Sequence, residues 1–471
     1  MRPDNSSSAG SGWLEISNLH SPELSVAQFS VRTGEIWCVL GQNDSGVSTL
    51  LSVLSRKDNG ASVTSASFPE DLRLVSFSAQ QQRYEYELRN DDSDYLDRLD
   101  PGTLAREFVG DYRGTLDLVG LFKLDHLLDT GYRQLSSGES RKLLMVEAIT
   151  SGSRHLVFEN PYDGLDVLSV KEFNQIIETL RDDGFNIILF ISDPTDIPAW
   201  CTHLLWIEGG TIRDSGPVSQ LRDRVMQTAD DHTSWFHGEP LKPTTGEPSG
   251  GDELVRLVQG SASYGSRIIF QQLDLVIREG DHTLITGPNG VGKSTLLSVI
   301  TGDHHSCYSN ELYLFGRKRG SGESIWQIKE QMGIVSPALH RNHYIPGNVR
   351  QVILSGFFDS IGLYQKPTRA QYEHASIWLS NIRLEDQAAT PFRRLSFGLQ
   401  RLALIARAMV KMPRLLILDE PTQGLDAPNR QRLLHFLETV AATAPSTILY
   451  VSHRQDEYQS FFTQHVEMKM Q

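Results

Sequence analysis

Short apolar runs alternate along this chain with stretches whose apolar residues have helical spacing. The runs at residues 187–191 and 415–418 contain only apolar residues, which is typical of strands buried on both faces of a parallel sheet. Two other runs, at 36–40 and 283–285, are each followed by a glycine-rich loop and a helical pattern. The pattern therefore predicts α/β domains in which helices cover largely parallel sheets.

The same pattern occurs twice along the chain. Gly34 and Gly41 match Gly280 and Gly287 at an offset of 246 residues. Four later segments match at an offset of 260 residues, namely 135–138 with 395–398, 158–161 with 418–421, 164–166 with 424–426, and 191–193 with 451–453. The single change of 14 residues in the offset predicts an extra loop or helix in the second copy. A duplicated pair of α/β domains explains this order better than chance matches do.

The repeat sets the expected domain boundaries. Residues 1–12 are polar and lack the apolar segment of a secretory signal, so we expect a short disordered lead. The first domain is expected at 13–220 and the second at 253–471. Residues 221–252 are rich in proline, glycine and polar residues without apolar periodicity, which predicts a linker. Weaker β character at 342–390 predicts a mostly helical insert in the second domain.

The second copy contains GPNGVGKST at 287–295, between an apolar run and a helical pattern. Glycines at this spacing let backbone N–H groups point at a phosphate, and the N-terminus of the following helix adds positive potential. We expect Lys293 to reach the β- and γ-phosphates of a nucleotide and the Ser294 hydroxyl to bind Mg²⁺. The other residues of this predicted ATP-binding loop are Gly287, Pro288, Asn289, Gly290, Gly292 and Thr295. The alternative is an ordinary glycine-rich turn between a strand and a helix.

The first copy has the related loop GQNDSGVST at 41–49. It keeps Gly41, Gly46, Ser48 and Thr49 but has Val47 in place of the lysine. This substitution removes a charge-assisted hydrogen bond to phosphate that is typically worth about 1.5–3 kcal/mol. The sequence thus predicts one intact and one degenerate phosphate loop.

Composition and charge narrow the class of protein. Hydrophobic content of 39% and charged content of 22% are typical of a soluble globular protein, and no apolar run reaches the length of about 18 residues that a membrane span needs. Cys38, Cys201 and Cys307 are widely separated, which favours a reducing compartment and disfavours a zinc site or a disulfide framework. A formal net charge of −14 disfavours general nucleic-acid binding, and we interpret the basic run at 317–319 as a solvated loop rather than a binding patch.

Both copies carry, in the same order, a phosphate loop, an LSxG motif, an apolar run that ends in two polar residues, a Gly-Leu-Asp loop and a serine-led pair. This order resembles the ATP-binding cassette (ABC) ATPase family, and the resemblance covers nearly the whole chain twice. It implies an α/β fold of two tandem P-loop NTPase (RecA-like) nucleotide-binding domains, each with an antiparallel β subdomain and a helical insert. The segments 300–326 and 354–364 resemble more closely a subfamily of tandem cassettes that are named as molybdenum-transport ATP-binding or photorepair proteins.

The resemblance assigns roles to residues of the second copy. Asp419 is expected to hold Mg²⁺ and its water shell near Ser294, and Glu420 to polarise the attacking water as a general base. His453 resembles the family's switch histidine, which contacts the γ-phosphate. Asp426 resembles the aspartate that the family places at the contact between two domains.

Two further positions concern the same nucleotide. Tyr264 is expected either to stack on adenine, as an aromatic residue of the family does, or to be a half-buried strand tyrosine. Pro337 stands where the family has a glutamine, which puts metal contact and coupling at that loop in question.

The first copy departs from the family at its chemical positions. Glu159 keeps a carboxylate at the metal position with one more methylene, and Asn160 cannot act as a base. Asp193 would place a negative charge beside the γ-phosphate. Together with Val47, these changes argue against ATP turnover at this loop. The copy is then either a scaffold or a domain that still holds nucleotide.

ABC cassettes pack head to tail, so each ATP lies between one phosphate loop and the other copy's signature. The resemblance therefore pairs Lys293 with the first signature, whose expected ATP contacts are Ser136, Ser137 and Gly138. Val47 would face the second signature, where Ser396 and Gly398 remain but Phe397 crowds the close approach of a backbone. The expected result is one competent composite site and one degenerate site.

Three functions follow from these expectations. The leading hypothesis is a cytoplasmic ATPase that uses ATP and Mg²⁺ to energise transport, peripheral on the cytoplasmic face of the inner membrane, with a separate membrane permease docked near residues 359–364. The alternative is a soluble tandem cassette that acts as a regulator or in translation, although such proteins carry a long charged helical linker and the linker expected here is short. A repair-associated ATPase is the third hypothesis, and only the subfamily's name suggests it.

Overall fold

The computed structural model of the protein describes residues 12–42, 45–56, 61–91, 100–109, 118–135, 137–230, 251–264, 267–343, 345–443 and 446–469. The chain divides into two compact units. Unit 1 comprises Met1–Asp163 and Leu168–His232, and unit 2 comprises Gly164–Val167 and Thr233–Gln471. Most of the predicted lead (1–11) and residues 231–250 of the predicted linker lie outside the described residues.

The sheet of unit 1 combines a parallel part with an antiparallel part. Its strands are β1 (Gly12–His20), β2 (Ser25–Arg32), β3 (Trp37–Gly41), β4 (Ser62–Ser67), β5 (Arg73–Val75), β6 (His155–Glu159), β7 (Asn186–Ile191), β8 (His203–Glu208) and β9 (Thr211–Pro217). They lie in the order β4-β1-β2-β9-β8-β3-β7-β6-β5. β5, β6, β7, β3 and β8 pair in parallel, whereas β1 pairs antiparallel with both β2 and β4. This is the predicted combination of a parallel core and an antiparallel β subdomain.

The helices of unit 1 pack on this sheet. They are α1 (Val47–Leu54), α2 (Phe77–Arg89), α3 (Leu118–Leu121), α4 (Ser137–Thr150), α5 (Val167–Asp182) and α6 (Val218–Asp230). The prediction of a linker at 221–252 is wrong for residues 221–230, because they belong to α6. Val218, Leu221 and Val225 are buried and recur every three or four residues, so one face of α6 is apolar.

In unit 2 the antiparallel and the parallel strands form two separate sheets. Its strands are β10 (Glu253–Tyr264), β11 (Arg267–Arg278), β12 (Thr283–Thr286), β13 (Glu311–Leu314), β14 (Arg317–Lys318), β15 (Met332–Val335), β16 (Leu415–Asp419), β17 (Thr447–Val451) and β18 (Gln464–Glu467). An antiparallel sheet has the order β11-β10-β13-β14, and a parallel sheet has the order β15-β16-β17-β12-β18. Because β12 lies between β17 and β18, the loop after β12 meets the carboxyl ends of its neighbours, where α/β sheets bind ligands.

The helices of unit 2 include the predicted insert. They are α7 (Lys293–Thr301), α8 (Ile325–Lys329), α9 (Pro337–Asn342), α10 (Val349–Ser355), α11 (Arg369–Asn381), α12 (Phe397–Met409) and α13 (Ala427–Thr443). Within the predicted insert at 342–390, capping boxes at Asn348 and Thr368 begin α10 and α11. Trp378 and Leu379 of α11 are buried in the same core as the apolar face of α12. No helix in the described part of the chain has the length and apolar content needed to cross a bilayer.

The strand before the insert locates the 14-residue change in offset. Val75 of β5 and Val335 of β15 are already 260 residues apart, whereas the phosphate loops are 246 residues apart. The extra residues of the second copy therefore lie between α7 and β15. Unit 2 has β13, β14 and α8 in that interval.

Candidate functional site

The loop at 287–295 joins β12 to α7 and folds around its glycines. Gly287 and Gly292 have φ angles of +145° and +101°, which L side chains rarely adopt. A Cβ on Gly287 would lie 2.5 Å from the Met468 carbonyl oxygen, and one on Gly292 would lie 2.5 Å from Ile269 Cγ2. The loop therefore lies too close to β11 and to the end of β18 for any side chain at these two positions.

Lys293 is buried and bonded within its own loop. Its Nζ donates to the carbonyl oxygens of Gly287 at 2.7 Å and Pro288 at 3.0 Å. Burial lowers the pKa of Lys293, and the nearby carboxylates of Glu420 and Asp419 oppose that effect. A phosphate that enters the loop can replace the two carbonyl acceptors, because an ammonium group prefers a charged partner.

Asp419 and Ser294 meet at the carboxyl end of β16. Burial and the charge of Glu420 raise the pKa of the Asp419 carboxyl, and a hydrogen bond from Ser294 opposes that rise. Carboxylate and hydroxyl oxygens are hard ligands, so this pair fits Mg²⁺. The structure thus brings together the two residues that the sequence predicted for the metal.

Glu420 and His453 form the next layer of the site. His453 Nδ1 lies 3.4 Å from Glu420 Oε1, within ion-pair distance but without hydrogen-bond geometry. Burial raises the pKa of Glu420, but the interactions with His453 and Lys293 outweigh burial and leave that pKa below its ordinary value. Glu420 is therefore ionised near neutral pH, as a base that accepts a proton from water must be.

Arg401 is a component of the site that the sequence reasoning missed. Its guanidinium group is fully buried and donates to three carbonyl oxygens, those of Glu420 (2.6 Å), Pro421 (3.0 Å) and Ser336 (3.2 Å). Burial lowers the pKa of Arg401 to about 10, so it stays charged at neutral pH. Glu420 has a left-handed φ of 44°, and Arg401 holds the carbonyl of that residue.

A signal for Arg401 was present in the repeat. Arg141 stands 260 residues earlier and is also buried. It donates to the carbonyl oxygen of Asp163 at 2.7 Å, just beyond Asn160, which has a φ of 42°. An arginine at the same place in two apolar helices indicates a specific buried acceptor.

The Gly164–Val167 segment, which belongs to unit 2, contacts the intact loop. The backbone N–H of Asn289 donates to Asp166 Oδ2 at 2.7 Å, and Asn289 Nδ2 donates to the Gly164 carbonyl at 2.8 Å. Asp426 instead accepts from the backbone N–H of Asn429 at 3.0 Å, at the start of α13. The second copy's aspartate is therefore placed to cap a helix.

Tyr264 ends β10, and 57% of its surface is exposed. Its ring meets His304 edge to face, with centroids 4.9 Å apart. Stacking of Tyr264 on adenine stays a prediction.

The local structure explains why residue 337 is a proline. It is the first residue of α9, where proline is favoured, and Ser336 caps the helix by accepting from the Leu339 N–H at 3.1 Å. One turn later, His340 bonds to Gln400 at 2.9 Å. Pro337 cannot supply the carboxamide that the family has at this position.

The degenerate loop of unit 1 is closed by an apolar group. Gly46 caps α1 with a φ of +92°, and Val47 is the first residue of that helix. A Cβ on Gly41 would lie 2.2 Å from Val47 Cγ2, so the valine methyl group lies directly over Gly41. Ser48 follows in α1, and Thr49 donates to Glu23 Oε2 at 3.2 Å.

The chemical positions of unit 1 make structural hydrogen bonds. Glu159 ends β6. Asn160 Oδ1 accepts from the backbone N–H of Ser192 at 3.0 Å. Asp193 Oδ1 accepts from the N–H and the hydroxyl of Thr195 at 2.8 and 2.7 Å. These bonds occupy the side chains that stand where unit 2 has Glu420 and His453, the predicted base and switch histidine.

The two signatures begin α4 and α12. Ser137 and Gly138 open α4, while Ser136 lies outside the described residues. Ser396 precedes α12, and its buried hydroxyl has no hydrogen-bond partner among the residues that the structure describes. Gly398 is buried in the first turn of α12.

Phe397 lies close to a backbone segment, as predicted, and that segment belongs to its own unit, unit 2. Its ring stacks on His340 with centroids 4.5 Å apart and an interplanar angle of 15°. A Cβ on Gly424 would lie 1.9 Å from Phe397 Cε1, so the ring covers that glycine.

Comparison with known proteins gives one family for both units. The family model described as "ABC transporter" matches residues 24–163 and 270–423, which together make up more than half of the chain. The chain is 36% identical over 460 residues to the ABC transporter ATP-binding protein ModF of Escherichia coli (strain K12), covering 94% of this chain and 93% of that protein. It is 27% identical over 458 residues to an uncharacterized ABC transporter ATP-binding protein of Schizosaccharomyces pombe (strain 972 / ATCC 24843), covering 93% and 92%.

A solved structure described as "RNase-L Inhibitor" resembles this chain with a TM-score of 0.53 and 16% sequence identity. The similarity covers 94% of this chain and 85% of the solved chain. At this identity the likeness concerns the fold alone.

Proposed function

The chain belongs to the ABC transporter family of ATP-binding proteins, whose members are ATPases in general, and from this membership we propose that unit 2 binds ATP with Mg²⁺ and hydrolyses it. The observation that carries the proposal is the convergence of Lys293, Asp419, Glu420 and His453 around one loop. In unit 1 the matched positions are Val47, Glu159, Asn160 and Asp193.

Each residue has a part in the proposed reaction. Lys293 exchanges its two loop carbonyls for the β- and γ-phosphates, and Glu420 accepts a proton from the attacking water. Ser294 and Asp419 would hold Mg²⁺, which neutralises charge on the phosphates when bound. His453, beside Glu420, is placed to contact the γ-phosphoryl group.

We propose that ATP is held between the loop at 287–295 and the first signature at Ser136, Ser137 and Gly138. The order of motifs and the head-to-tail pairing of ABC cassettes support this composite site. The second pairing, with Val47 opposite Phe397, would then form the degenerate site.

The finer function that we propose is the energising subunit of a transport system. The name of the ModF relative supports transport, and exposed aromatic and aliphatic side chains on the insert offer a surface for a permease. They are Tyr364, Tyr372 and Ile377. A soluble tandem cassette that acts as a regulator is the alternative, in which the same surface binds a soluble partner.

ATP hydrolysis by two matched variants tests the proposed site. Lys293→Ala should lower kcat/KM by about 100-fold or more, because the lysine bonds to phosphate are strengthened in the transition state. Val47→Lys should leave the rate within about twofold of wild type, because Asn160 and Asp193 still lack the chemistry. Substantial activity in the Lys293 variant would refute the proposal, and a large gain in the Val47 variant would refute the degeneracy of unit 1.

A further inference from the structure

A buried carboxylate next to the proposed site joins three segments of unit 2. Glu457 is fully buried in a short 3₁₀ turn at Gln455–Glu457, four residues after His453. Its oxygens accept hydrogen bonds from the Tyr450 hydroxyl at 2.9 Å, from the Ser452 hydroxyl at 2.6 Å and from the hydroxyl of Thr422. Glu457 has no assigned part in the site described above.

The three donors come from both sides of the reacting pair. Thr422 lies two residues after Glu420, and Ser452 directly precedes His453. Tyr450 lies in β17, which leads to that histidine. The Ser452 hydroxyl also accepts from the Arg454 N–H at 3.0 Å. This hydrogen bond joins the two residues that flank His453. Glu457 thus ties the backbone that carries the base to the backbone that carries the histidine.

The first copy lacks the carboxylate and the tyrosine hydroxyl of this network. Leu189 pairs with Phe158 as Tyr450 pairs with Leu418, so a residue without a hydroxyl takes the place of Tyr450. The buried Ile197 stands 260 residues before Glu457. Ser192, which matches Ser452, donates from its N–H and its hydroxyl to Asn160 Oδ1 at 3.0 and 3.3 Å. The serine therefore bonds directly to the residue that replaces the base.

Folding alone does not account for Glu457. A buried carboxylate costs free energy unless hydrogen bonds satisfy it, and an apolar replacement of a buried charge is often neutral or stabilising. Strand β7 of unit 1 lies between β3 and β6 as β17 lies between β12 and β16, with Leu189 in the place of Tyr450. The turn after β7 has Ile197 at the offset of 260 residues from Glu457. The copy that has the proposed base, Glu420, also has Glu457, and the copy that lacks the base has Ile197 instead. This correlation fits a role for Glu457 in the reaction.

We propose that Glu457 is a positioning residue for ATP hydrolysis, which holds Thr422 and Ser452 so that Glu420 and His453 stay in register with the γ-phosphate. This inference rests on the proposed function. Glu457 does not touch the nucleotide in this scheme, so its loss should slow the chemical step and leave ATP binding unchanged.

Steady-state hydrolysis and ATP binding by full-length variants test the inference. In Glu457→Gln, kcat should fall by about 10- to 100-fold while KM and the Kd for a fluorescent ATP analogue stay within about twofold, because small misplacements of reacting groups cost rate. Tyr450→Phe, which removes one donor and keeps the carboxylate, should lower kcat less. In the double variant the two effects should not add, because both residues act through one network. Glu438→Gln, on the exposed face of α13, is the matched control and should keep wild-type kinetics.

The outcomes separate this inference from the proposed function. Wild-type kcat in Glu457→Gln, or a loss of kcat in proportion to lost ATP binding and a lowered Tm, would overturn the positioning role. If Glu457→Gln does not fold, Tyr450→Phe decides: lowered kcat with unchanged Kd supports the role, and unchanged kcat overturns it. Hydrolysis that does not depend on Lys293 would overturn the proposed function, and the inference would fall with it.

Discussion

At the scale of single residues, the site depends on side chains that fix backbone rather than touch a nucleotide. Arg401 donates to the carbonyls of Glu420, Pro421 and Ser336, and so connects three segments of unit 2. Glu420 itself has a left-handed backbone, which costs roughly 1–3 kcal/mol for a residue with a side chain. The position of the proposed base is therefore maintained by an arginine one layer below it.

Replacement of that arginine should be costly. Arg401→Met removes three hydrogen bonds from a buried guanidinium group to backbone carbonyls, and we expect the free energy of unfolding of unit 2 to fall by about 3 kcal/mol or more. Urea unfolding monitored by circular dichroism measures the change. Arg369→Met is the matched control, because Arg369 is 93% exposed and pairs only with Glu373 among the described ion pairs of its side chain. Equal effects of the two substitutions would contradict the role given to Arg401.

At the scale of elements, α12 is coupled to the turn before α13. Phe397, in the first turn of α12, covers Gly424, which has a φ of +79°. The sequence predicted that Phe397 would block the close approach of a backbone. In the structure, Phe397 packs on the Gly-Leu-Asp loop of its own unit. The second signature is thus packed into unit 2 as a structural element.

Two glycines with similar backbone conformations test this packing. Gly424→Ala should lower the free energy of unfolding by more than Gly280→Ala, although both residues have φ near +80°, because a Cβ at 424 meets Phe397 and one at 280 meets nothing within 4 Å. The conformational cost common to both is about 1 kcal/mol. Combining Gly424→Ala with Phe397→Ala should recover part of the difference. Identical losses in the two single variants would mean that Phe397 moves aside freely.

The sequence predicted the strands, the phosphate loops and the insert well, because each depends on local periodicity or on glycine geometry. The sequence did not predict features that depend on contacts between residues far apart in the chain. Residues 221–230 of the expected linker form part of α6, whose apolar face packs against the rest of unit 1. Pro337, which stands where the family has a glutamine, begins α9. The roles of Arg401 and Glu457 can be inferred only when their hydrogen-bond partners are known. The acceptors of Arg401 are 19 to 65 residues away, and the donors to Glu457 are 5 to 35 residues away.

At the scale of the whole molecule, the chain contains one architecture twice with chemistry in one copy. Each unit has a parallel sheet with helices and an antiparallel part, yet the ionisable residues of the proposed reaction occur together in unit 2. In the proposed transport function, the exposed apolar side chains of the insert are the surface that would dock on the partner.

A pull-down from native membranes with ATP present tests the identity of that molecule. We expect a membrane permease to co-purify with the full-length protein. Tyr364→Ser should abolish the capture, because this side chain is 72% exposed on the segment proposed for docking. Trp326→Ser, which changes a side chain that is 65% exposed outside the insert, should leave it intact. Recovery of soluble proteins alone would favour the regulator.

The valine in the first loop limits how much ATP the proposed scheme can consume. In unit 2, Lys293 Nζ donates to the carbonyls of Gly287 and Pro288, and in the proposed reaction it would donate to an arriving phosphate instead. The Val47 methyl group that lies over Gly41 has no hydrogen bond to offer a phosphate. If unit 2 alone hydrolyses ATP, as we propose, the chain consumes at most one ATP per cycle.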